Sequence, residues 1–288
     1  MKKINYFSLG ATLYTPCTHA RLSEIMQHGL GSKSMVFCTE DAVAEYDLQE
    51  SLANLRLALS NTDDVSFYRF VRPRNSDIFS EILSFEGIDK IEGFVLPKYD
   101  LKTADDYHQV ITSHPDVMVM PTLESSDILD PSNLSKIRKK LDKIKDNVIC
   151  LRIGGNDLFN LLGLKRMQYQ TIYESPLRAV IEQIVIAFRP YGYEISAPVF
   201  DFINDIETLK SELYMDLNFG LFCKTAIHPR QVEIIESFYQ EYSSVYIKQA
   251  ESILSEQSSA VYQLNGQMME KSCHFNWAQR TKNLASSF

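Results

Sequence analysis

Charged side chains follow several short apolar runs of this 288-residue chain, each directly after its run ends: Glu40, Arg72, Arg74, Lys98, Glu124, Asp157 and His228. Two of the carboxylates, Glu124 in MPTLESSD and Asp157 in GGNDLFNLLG, follow consecutive runs. Such a pair suits Mg²⁺, which prefers oxygen ligands and is bound through one or two carboxylates. Because Mg²⁺ polarises carbonyl and alkoxide oxygens and arginine clamps carboxylates, this set of side chains indicates enolate chemistry on a small carboxylate.

Each of these residues also has a purely structural interpretation. Asp157 could cap the helix that follows it, and Glu124 could be an exposed loop carboxylate. His228 fits a structural turn residue better than a catalytic one. Three basic side chains could pair with surface acids: Arg72, Arg74 and Lys98. Their shared position after successive apolar runs favours the functional interpretation, because reactive groups of a (β/α)₈ barrel lie at the carboxyl ends of its strands.

Eight apolar runs separated by helical periodicity predict one (β/α)₈ TIM barrel of the α/β class. Several runs, such as VMVM and VICLRI, are almost continuously apolar, as expected for strands covered on both faces. The predicted strands are residues 11–15, 34–38, 66–71, 93–96, 117–120, 148–153, 194–199 and 219–226.

Helical spacing is clear between the runs. The segment SKIRKKLDKIK, residues 135–145, repeats apolar side chains on one face, and another helix begins at Pro229. A further helix is predicted beyond Tyr242, ending near Ser255, followed by a tail with a turn at NGQ, residues 265–267. We therefore predict a catalytic barrel in residues 1–240 and a helical extension in residues 241–288 that contributes to oligomer contacts.

Composition excludes several classes of protein. The net charge of −8 would repel a phosphate backbone, which argues against a nucleic-acid partner. No signal-peptide core and no run of about 18 apolar residues occurs, so no membrane partner and a cytoplasmic location are predicted.

The five cysteines have no CxxC spacing, and Cys38, Cys150 and Cys223 fit buried small hydrophobes. No nucleotide-binding glycine loop and no GxSxG nucleophile elbow is present.

Seven segments in order resemble the citrate lyase β-subunit family, within the HpcH/HpaI aldolase and citramalyl-CoA lyase group. They are ATLYTPCTHARLSEIM, VFCTEDAV, FVRPRN, FVLPKYD, MPTLESSD, RIGGNDLFNLLGL and LFCKTAIHPRQVEIIESF. The resemblance extends from about Ala11 to Leu284. The sequence is also similar to a divergent branch of this group, the TIM-barrel C–C bond lyases encoded with tellurium- and stress-resistance operons.

The resemblance implies a role for several residues. Glu124 and Asp157 would bind Mg²⁺, and Arg72 would bind a substrate carboxylate. Glu40 would lie beside Arg72 and the metal waters, and the base could be a metal-bound water oriented by Glu40 or Glu270 from a neighbouring subunit. Lys98 and Arg74, the latter an addition to the family pattern, are candidates for substrate binding. The tail segment GQMMEK is similar to a family motif whose acid reaches a neighbouring subunit's site, which gives Glu270 a catalytic role and implies a homo-oligomer, commonly a trimer.

The sequence departs from the family pattern at four places: TEDAV replaces LEDAV, FVRPRN gains Pro73 and Arg74, GGND replaces GTED, and the tail acid is glutamate rather than aspartate. A misplacement of a catalytic group by about 1 Å can cost roughly 10²-fold in rate. These departures bear on the substrate more than on the metal site, and the added Arg74 suggests a more anionic or differently shaped substrate.

The resemblance leads to three functional hypotheses. The first is a Mg²⁺-dependent lyase that cleaves or forms a β-hydroxy acyl carboxylate, such as citryl-CoA or citramalyl-CoA, through an enolate. The second is an aldolase or lyase that acts on a keto acid without CoA. The third is a barrel without catalytic activity that serves as a partner in a protein complex.

Overall fold

The computed structural model describes residues 4–288, and its centre is a barrel of eight strands. These are β1 (Ala11–Pro16), β2 (Ser34–Cys38), β3 (Tyr68–Arg72), β4 (Gly93–Leu96), β5 (Val119–Leu123), β6 (Leu151–Ile153), β7 (Ile195–Ser196) and β8 (Lys224–Ala226). All eight are parallel and follow one another in the order β7-β6-β5-β4-β3-β2-β1-β8. A parallel bridge between Ala197 and Lys224 joins the two ends of the sheet, so the predicted TIM barrel is confirmed.

Helices surround this barrel. They are α1 (Leu22–His28), α2 (Leu48–Ser60), α3 (Ser76–Ile82), α4 (Ala104–Ser113), α5 (Pro131–Leu141), α6 (Gly155–Leu161), α7 (Leu177–Phe188) and α8 (Ile206–Asn218). Helix α5 shows why they form where they do: the Asp130 side chain accepts from the backbone N–H of Ser132, and Pro131 occupies the first turn. Its buried side chains Leu134, Ile137 and Leu141 face the barrel at helical spacing.

The last predicted strand, residues 219–226, was too long. Helix α8 ends at Asn218, and the chain then turns at Gly220, whose φ of +71° is a left-handed conformation. Leu221 and Phe222 are buried beside the barrel without being part of its ladder, so an apolar run here reflects packing rather than strand pairing.

Residues after β8 form one long helix, a hairpin and a final helix. Helix α9 is continuous over Pro229–Leu254, so the two helices predicted around Tyr242 are one helix, which also crosses the predicted boundary at residue 240. Strands β9 (Val261–Leu264) and β10 (Gln267–Glu270) pair across a turn in which Asn265 and Gly266 both have positive φ. Helix α10 (Lys271–Ala285) packs along α9.

A fully buried ion network, here called the Lys224 cluster, joins β8 to α8 outside the barrel. The Lys224 ammonium lies 2.9 Å from Glu212 and 2.8 Å from Asp216, and all three side chains are completely buried. Arg166 pairs with Glu212 at 2.5 Å, and the Tyr173 hydroxyl donates to Asp216 at 2.6 Å. Each carboxylate of the cluster therefore has a cation and at least one further hydrogen-bond donor.

The cysteine prediction is confirmed, because Cys38, Cys150 and Cys223 are buried and free. None of the helices in residues 4–288 combines the length and apolar character needed to cross a bilayer.

Candidate active site

The carboxyl ends of the strands open onto a cavity of about 340 Å³, here called the rim cavity. Its wall includes Arg72 from the end of β3, Glu124 after β5 and Asp157 in the first turn of α6. Tyr14, Thr122, Arg152 and Thr225 lie among its other lining residues. In barrels of this kind the carboxyl ends of the strands carry the reactive groups, so this cavity is the candidate active site.

The loop after β2 is fastened to the end of β3. Both the backbone N–H and the hydroxyl of Thr39 donate to the carbonyl oxygen of Arg72, at 2.9 and 3.0 Å. The backbone N–H of Asp41 donates to Glu40 Oε2 at 2.7 Å. This places a buried glutamate and a partly exposed aspartate side by side next to Arg72.

Arg72 connects three carboxylates through one nitrogen. Its Nη2 lies 2.7 Å from Glu40 Oε2, 3.0 Å from Asp41 Oδ2 and 3.2 Å from Glu124 Oε1. Burial alone would lower the pKa of Arg72, but Glu124 and Glu40 raise it, so the guanidinium stays charged. Its Nε is buried and has no hydrogen-bond partner within residues 4–288.

Lys98 reaches two carboxylates from a left-handed backbone conformation. Its φ is +48°, which costs a non-glycine residue about 1–3 kcal/mol and marks functional sites in many proteins. The backbone N–H donates to Glu124 Oε1 at 2.8 Å, while the ammonium pairs with Glu40 and lies 3.2 Å from Asp41. Burial lowers the pKa of Lys98, but its hydrogen bond to Glu40 outweighs that effect and the net pKa is raised.

Glu124 is buried with one oxygen fully engaged and the other available. Both hydrogen bonds from Arg72 and Lys98 go to Oε1. Oε2 lies against Gly154, where an added Cβ would stand 2.0 Å from it, so only glycine leaves room for this carboxylate. Burial and the charge of Asp157 raise the pKa of Glu124 to about 7, although the opposing charge of Arg72 lowers it.

Asp157 lies on the same cavity wall and is half-buried. It does not occupy the cap position of its helix, which belongs to Gly154, but lies in the first turn. Burial and the charge of Asp41 raise the pKa of Asp157. Repulsion between carboxylates on one wall is what a bound cation would relieve.

The donor set fits Mg²⁺ better than a metal that needs an all-protein cage. The described residues contain no group of three or more His, Cys, Asp or Glu side chains placed to hold a metal. Glu124 and Asp157 supply two carboxylates on an open cavity, which is the arrangement Mg²⁺ accepts, because it keeps several waters or substrate oxygens as its remaining ligands.

The structure brings together five of the predicted site residues and leaves two apart. Glu40, Arg72, Lys98, Glu124 and Asp157 surround the rim cavity or contact residues that do. Arg74 lies behind the Glu40 loop, where its Nη2 donates to the Val43 carbonyl at 2.6 Å. Glu270 ends β10 and accepts from Ser272 at 3.1 Å, outside the lining of the cavity in its own chain.

Sequence reasoning overlooked Arg152, Thr122 and Tyr14 in the lining and assigned Asp41 no role. Arg152 is the most informative of these, because it is a charge inside the apolar run VICLRI, which was interpreted as a strand covered on both faces. A solitary arginine in such a run is the signal that could have found it, since buried arginines are rare without partners. His228 caps α9 by accepting from Arg230, in agreement with its structural interpretation.

A TIM barrel with opposed charges around a cavity at its strand ends is an enzyme architecture. The chain belongs to the family of C–C bond lyases of the TIM-barrel fold, which its sequence matches over residues 3–288. The resemblance to C–C lyases and the prediction of an enzyme are thereby confirmed.

Individual proteins are similar to this chain in sequence or in fold. The chain is 25% identical over 232 residues to a (3S)-malyl-CoA thioesterase of Cereibacter sphaeroides, covering 80% of this chain and 76% of that one. Its fold is similar to that of CitE from Mycobacterium tuberculosis in complex with magnesium, acetoacetate and coenzyme A, with a TM-score of 0.70, 17% identity and coverage of 96% and 98%. Malate synthase of Haloferax volcanii with magnesium and glyoxylate gives a TM-score of 0.63, 14% identity and coverage of 96% and 88%.

Proposed function

We propose that this protein is a Mg²⁺-dependent lyase that cleaves or forms the C–C bond of a β-hydroxy acyl carboxylate. The observation that carries the proposal is how the Glu124 carboxylate is held. Its Oε1 accepts from Arg72 and from the backbone N–H of Lys98, while its Oε2 is not held in this way and belongs to the cavity that Asp157 also lines. A buried carboxylate fixed at one oxygen is preorganised to bind a cation through the other.

Glu124 and Asp157 would hold the metal. Bound there, Mg²⁺ would supply Lewis-acid polarisation of the substrate's hydroxyl and carboxylate oxygens. Solved neighbours with this fold contain magnesium together with small acids, which supports the same cation here.

The reaction needs a proton acceptor and a place for the electron pair. Removal of the hydroxyl proton lets the adjacent C–C bond break, which releases a keto acid and leaves the electron pair as an enolate that a proton then quenches. Arg72 would bind the carboxylate of the keto-acid half through its free N–H groups.

Glu40 fits a positioning role in this reaction. Both of its oxygens are occupied, Oε1 by Lys98 and Oε2 by Arg72 and the backbone of Asp41. Because each oxygen already holds a cation in place, we assign Glu40 to hold Arg72 and Lys98 and to orient water through the remaining lone pair of Oε1, and Glu270 of a neighbouring subunit to accept the proton. Lys98 and Arg74 would then act on the substrate through Glu40 and its loop.

The names of the relatives support an acyl-CoA substrate. One is named for (3S)-malyl-CoA, and one neighbour was solved with coenzyme A. We therefore propose an acyl-CoA of the citryl-CoA or citramalyl-CoA type, used in the cytoplasm by a homo-oligomer, with residues 241–288 contributing to its contacts.

Calorimetry with Mg²⁺ tests the metal assignment. Glu124→Gln removes the charge but keeps the shape, so it should abolish measurable Mg²⁺ binding while the folded state persists. The matched control is Glu92→Gln, since Glu92 is a partly buried carboxylate with a raised pKa that lies just before β4, at the other end of the barrel from Glu124. Unchanged Mg²⁺ affinity in Glu124→Gln contradicts the proposal.

Mixed oligomers test the assignment of Glu270. Glu124→Gln and Glu270→Gln should each be inactive on citryl-CoA and on citramalyl-CoA. Subunits mixed under exchange conditions should recover activity on the preferred acyl-CoA, because some sites then combine an intact metal site with an intact base. Activity that appears with keto acids but with no acyl-CoA would favour the substrate without CoA, and no turnover on either class would favour a barrel without catalytic activity.

A further inference from the structure

Arg152 lies inside the barrel, one layer of side chains below the carboxylates of the rim cavity. It precedes Gly154 by two residues on β6, as Thr122 precedes Glu124 on β5, and both Arg152 and Thr122 line the cavity. Two residues of a strand span about 6.6 Å, so this layer is within reach of a small ligand held at Glu124.

The surroundings of Arg152 hold hydroxyls but no counter-charge. Its Nη2 donates to the Thr225 hydroxyl at 2.7 Å and its Nη1 to Thr12 at 3.5 Å, and the Tyr14 ring lies 5.5 Å away. Within residues 4–288 no carboxylate forms an ion pair with this side chain, although the residue is only 2% exposed.

A second buried polar group on the cavity wall lacks a partner. The Thr122 hydroxyl is buried without a hydrogen bond in the described chain, and its strand pairs Thr122 with Arg152 directly. A guanidinium that has hydroxyl partners but no ion pair, and a hydroxyl that has no hydrogen bond within residues 4–288, thus line the same cavity. Burying such groups costs free energy unless a ligand compensates them.

We propose that Arg152, Thr122 and Thr225 form a second carboxylate-binding subsite, which makes Arg152 the residue that selects dicarboxylic over monocarboxylic substrates. This inference rests on the proposed function and deepens it. The metal pair and Arg72 bind the carboxylate next to the hydroxyl, and Arg152 binds a second carboxylate deeper in the barrel. The keto acid released by cleavage therefore carries two carboxylates.

Binding of two acids that differ by one carboxylate tests the subsite. Isothermal titration in saturating Mg²⁺ would compare (S)-malate with (S)-lactate for the wild type and for Arg152→Met. We expect the wild type to prefer malate by about 30-fold or more, because a buried charge pair is lost with lactate. Arg152→Met should bind both acids with the affinity that lactate has for the wild type, at an unchanged or higher melting temperature.

Two further variants keep the test decisive. Thr122→Val removes the hydroxyl without changing charge and should weaken malate several-fold while leaving lactate unchanged. Arg152→Lys keeps the charge but loses the planar fork and should give an intermediate preference. Equal affinity of the wild type for the two acids, binding of neither, or an equal loss of both in Arg152→Met overturns the proposal.

The two proposals fail in different ways. Loss of the malate preference in Arg152→Met together with binding that ignores Mg²⁺ and Glu124→Gln would leave the subsite in place and refute the metal site. Binding that requires Mg²⁺ and Glu124 but shows no preference for malate would do the opposite.

Discussion

The rim cavity and the Lys224 cluster both bring acids and bases together in the interior, yet they are built differently. In the Lys224 cluster the carboxylates of Glu212 and Asp216 are closed off from solvent, and each accepts from a cation and another donor. At the rim cavity Arg72 and Lys98 connect three carboxylates, while within residues 4–288 Glu124 keeps a free oxygen and Asp157 forms no ion pair.

The difference separates structure from function. A closed, satisfied network stabilises an element position, because removing one partner leaves an uncompensated charge in the interior. An open network with surplus carboxylate is electrostatically unfavourable until a cation joins it, and perturbed groups of this kind concentrate at functional sites. The excess of acid over base at an open cavity is thus the better guide to a site than burial alone.

The largest effect should come from breaking the closed network. Lys224→Met leaves Glu212 and Asp216 buried without their shared cation and should lower the free energy of unfolding by about 3–5 kcal/mol, measured by urea denaturation. Lys98→Met is the matched change at the rim cavity. Since the Lys98 side chain is 48% exposed, its loss should cost less than about 1 kcal/mol. Similar losses of unfolding free energy in the two variants would contradict the distinction between a closed and an open network.

The open network should respond to Mg²⁺, and the closed one should not. At a Mg²⁺ concentration 100-fold above Kd the free energy of unfolding should rise by about 2.7 kcal/mol, and chelation should reverse this. Hydrogen exchange should slow at the Lys98 amide, which donates to Glu124, while amides of α8 near Lys224 change only with global stability. No Mg²⁺ effect on the wild type would contradict the metal site.

At Gly154, the space that glycine leaves for Glu124 should matter more for Mg²⁺ binding than the backbone freedom of glycine. Gly154 has a φ of −85°, which any residue can adopt, so Gly154→Ala would add only the clash with Glu124 Oε2. We expect at least a tenfold loss of Mg²⁺ affinity, about 1.4 kcal/mol. Gly155→Ala is the control, because its Cβ would meet Ile172 and Pro198 at 3.2 Å instead. An equal effect of both changes on Mg²⁺ binding would refute the steric argument.

Arg74 gives the smallest predicted effect. Arg74→Met removes the hydrogen bond to the Val43 carbonyl that holds the Glu40 loop, which is worth about 1 kcal/mol. Turnover on the preferred acyl-CoA should fall several-fold through kcat, with KM little changed. A large rise in KM alone would instead support the original prediction that Arg74 binds substrate.

Sequence patterns predicted the barrel and the strand ends well, because buried parallel strands leave continuous apolar runs followed by polar residues. They failed where an apolar run was loop, as at Gly220, and where a helix continued past Tyr242 without a break. The first failure depends on the φ of one glycine, and the second depends on the packing of α9 against α10. The local sequence pattern contains neither kind of information.

For the site, sequence predicted which segments meet but not which side chains face the cavity. Arg72 and Arg74 both follow β3 in FVRPRN, and nothing local shows that one joins Glu124 while the other supports a loop. Arg152 was overlooked because its run satisfied the pattern of a buried strand. The partners of all three arginines come from distant parts of the chain, so only the fold defines them.

The left-handed backbone of Lys98 couples two carboxylates mechanically. One residue donates its backbone N–H to Glu124 and its ammonium to Glu40, and the Thr103 hydroxyl donates to its carbonyl oxygen at 2.8 Å. Rotation of the single peptide plane between Pro97 and Lys98 would therefore release Glu124 and loosen Glu40 in the same motion. The Lys98 backbone, whose left-handed conformation costs about 1–3 kcal/mol, thus holds both acids in place at once.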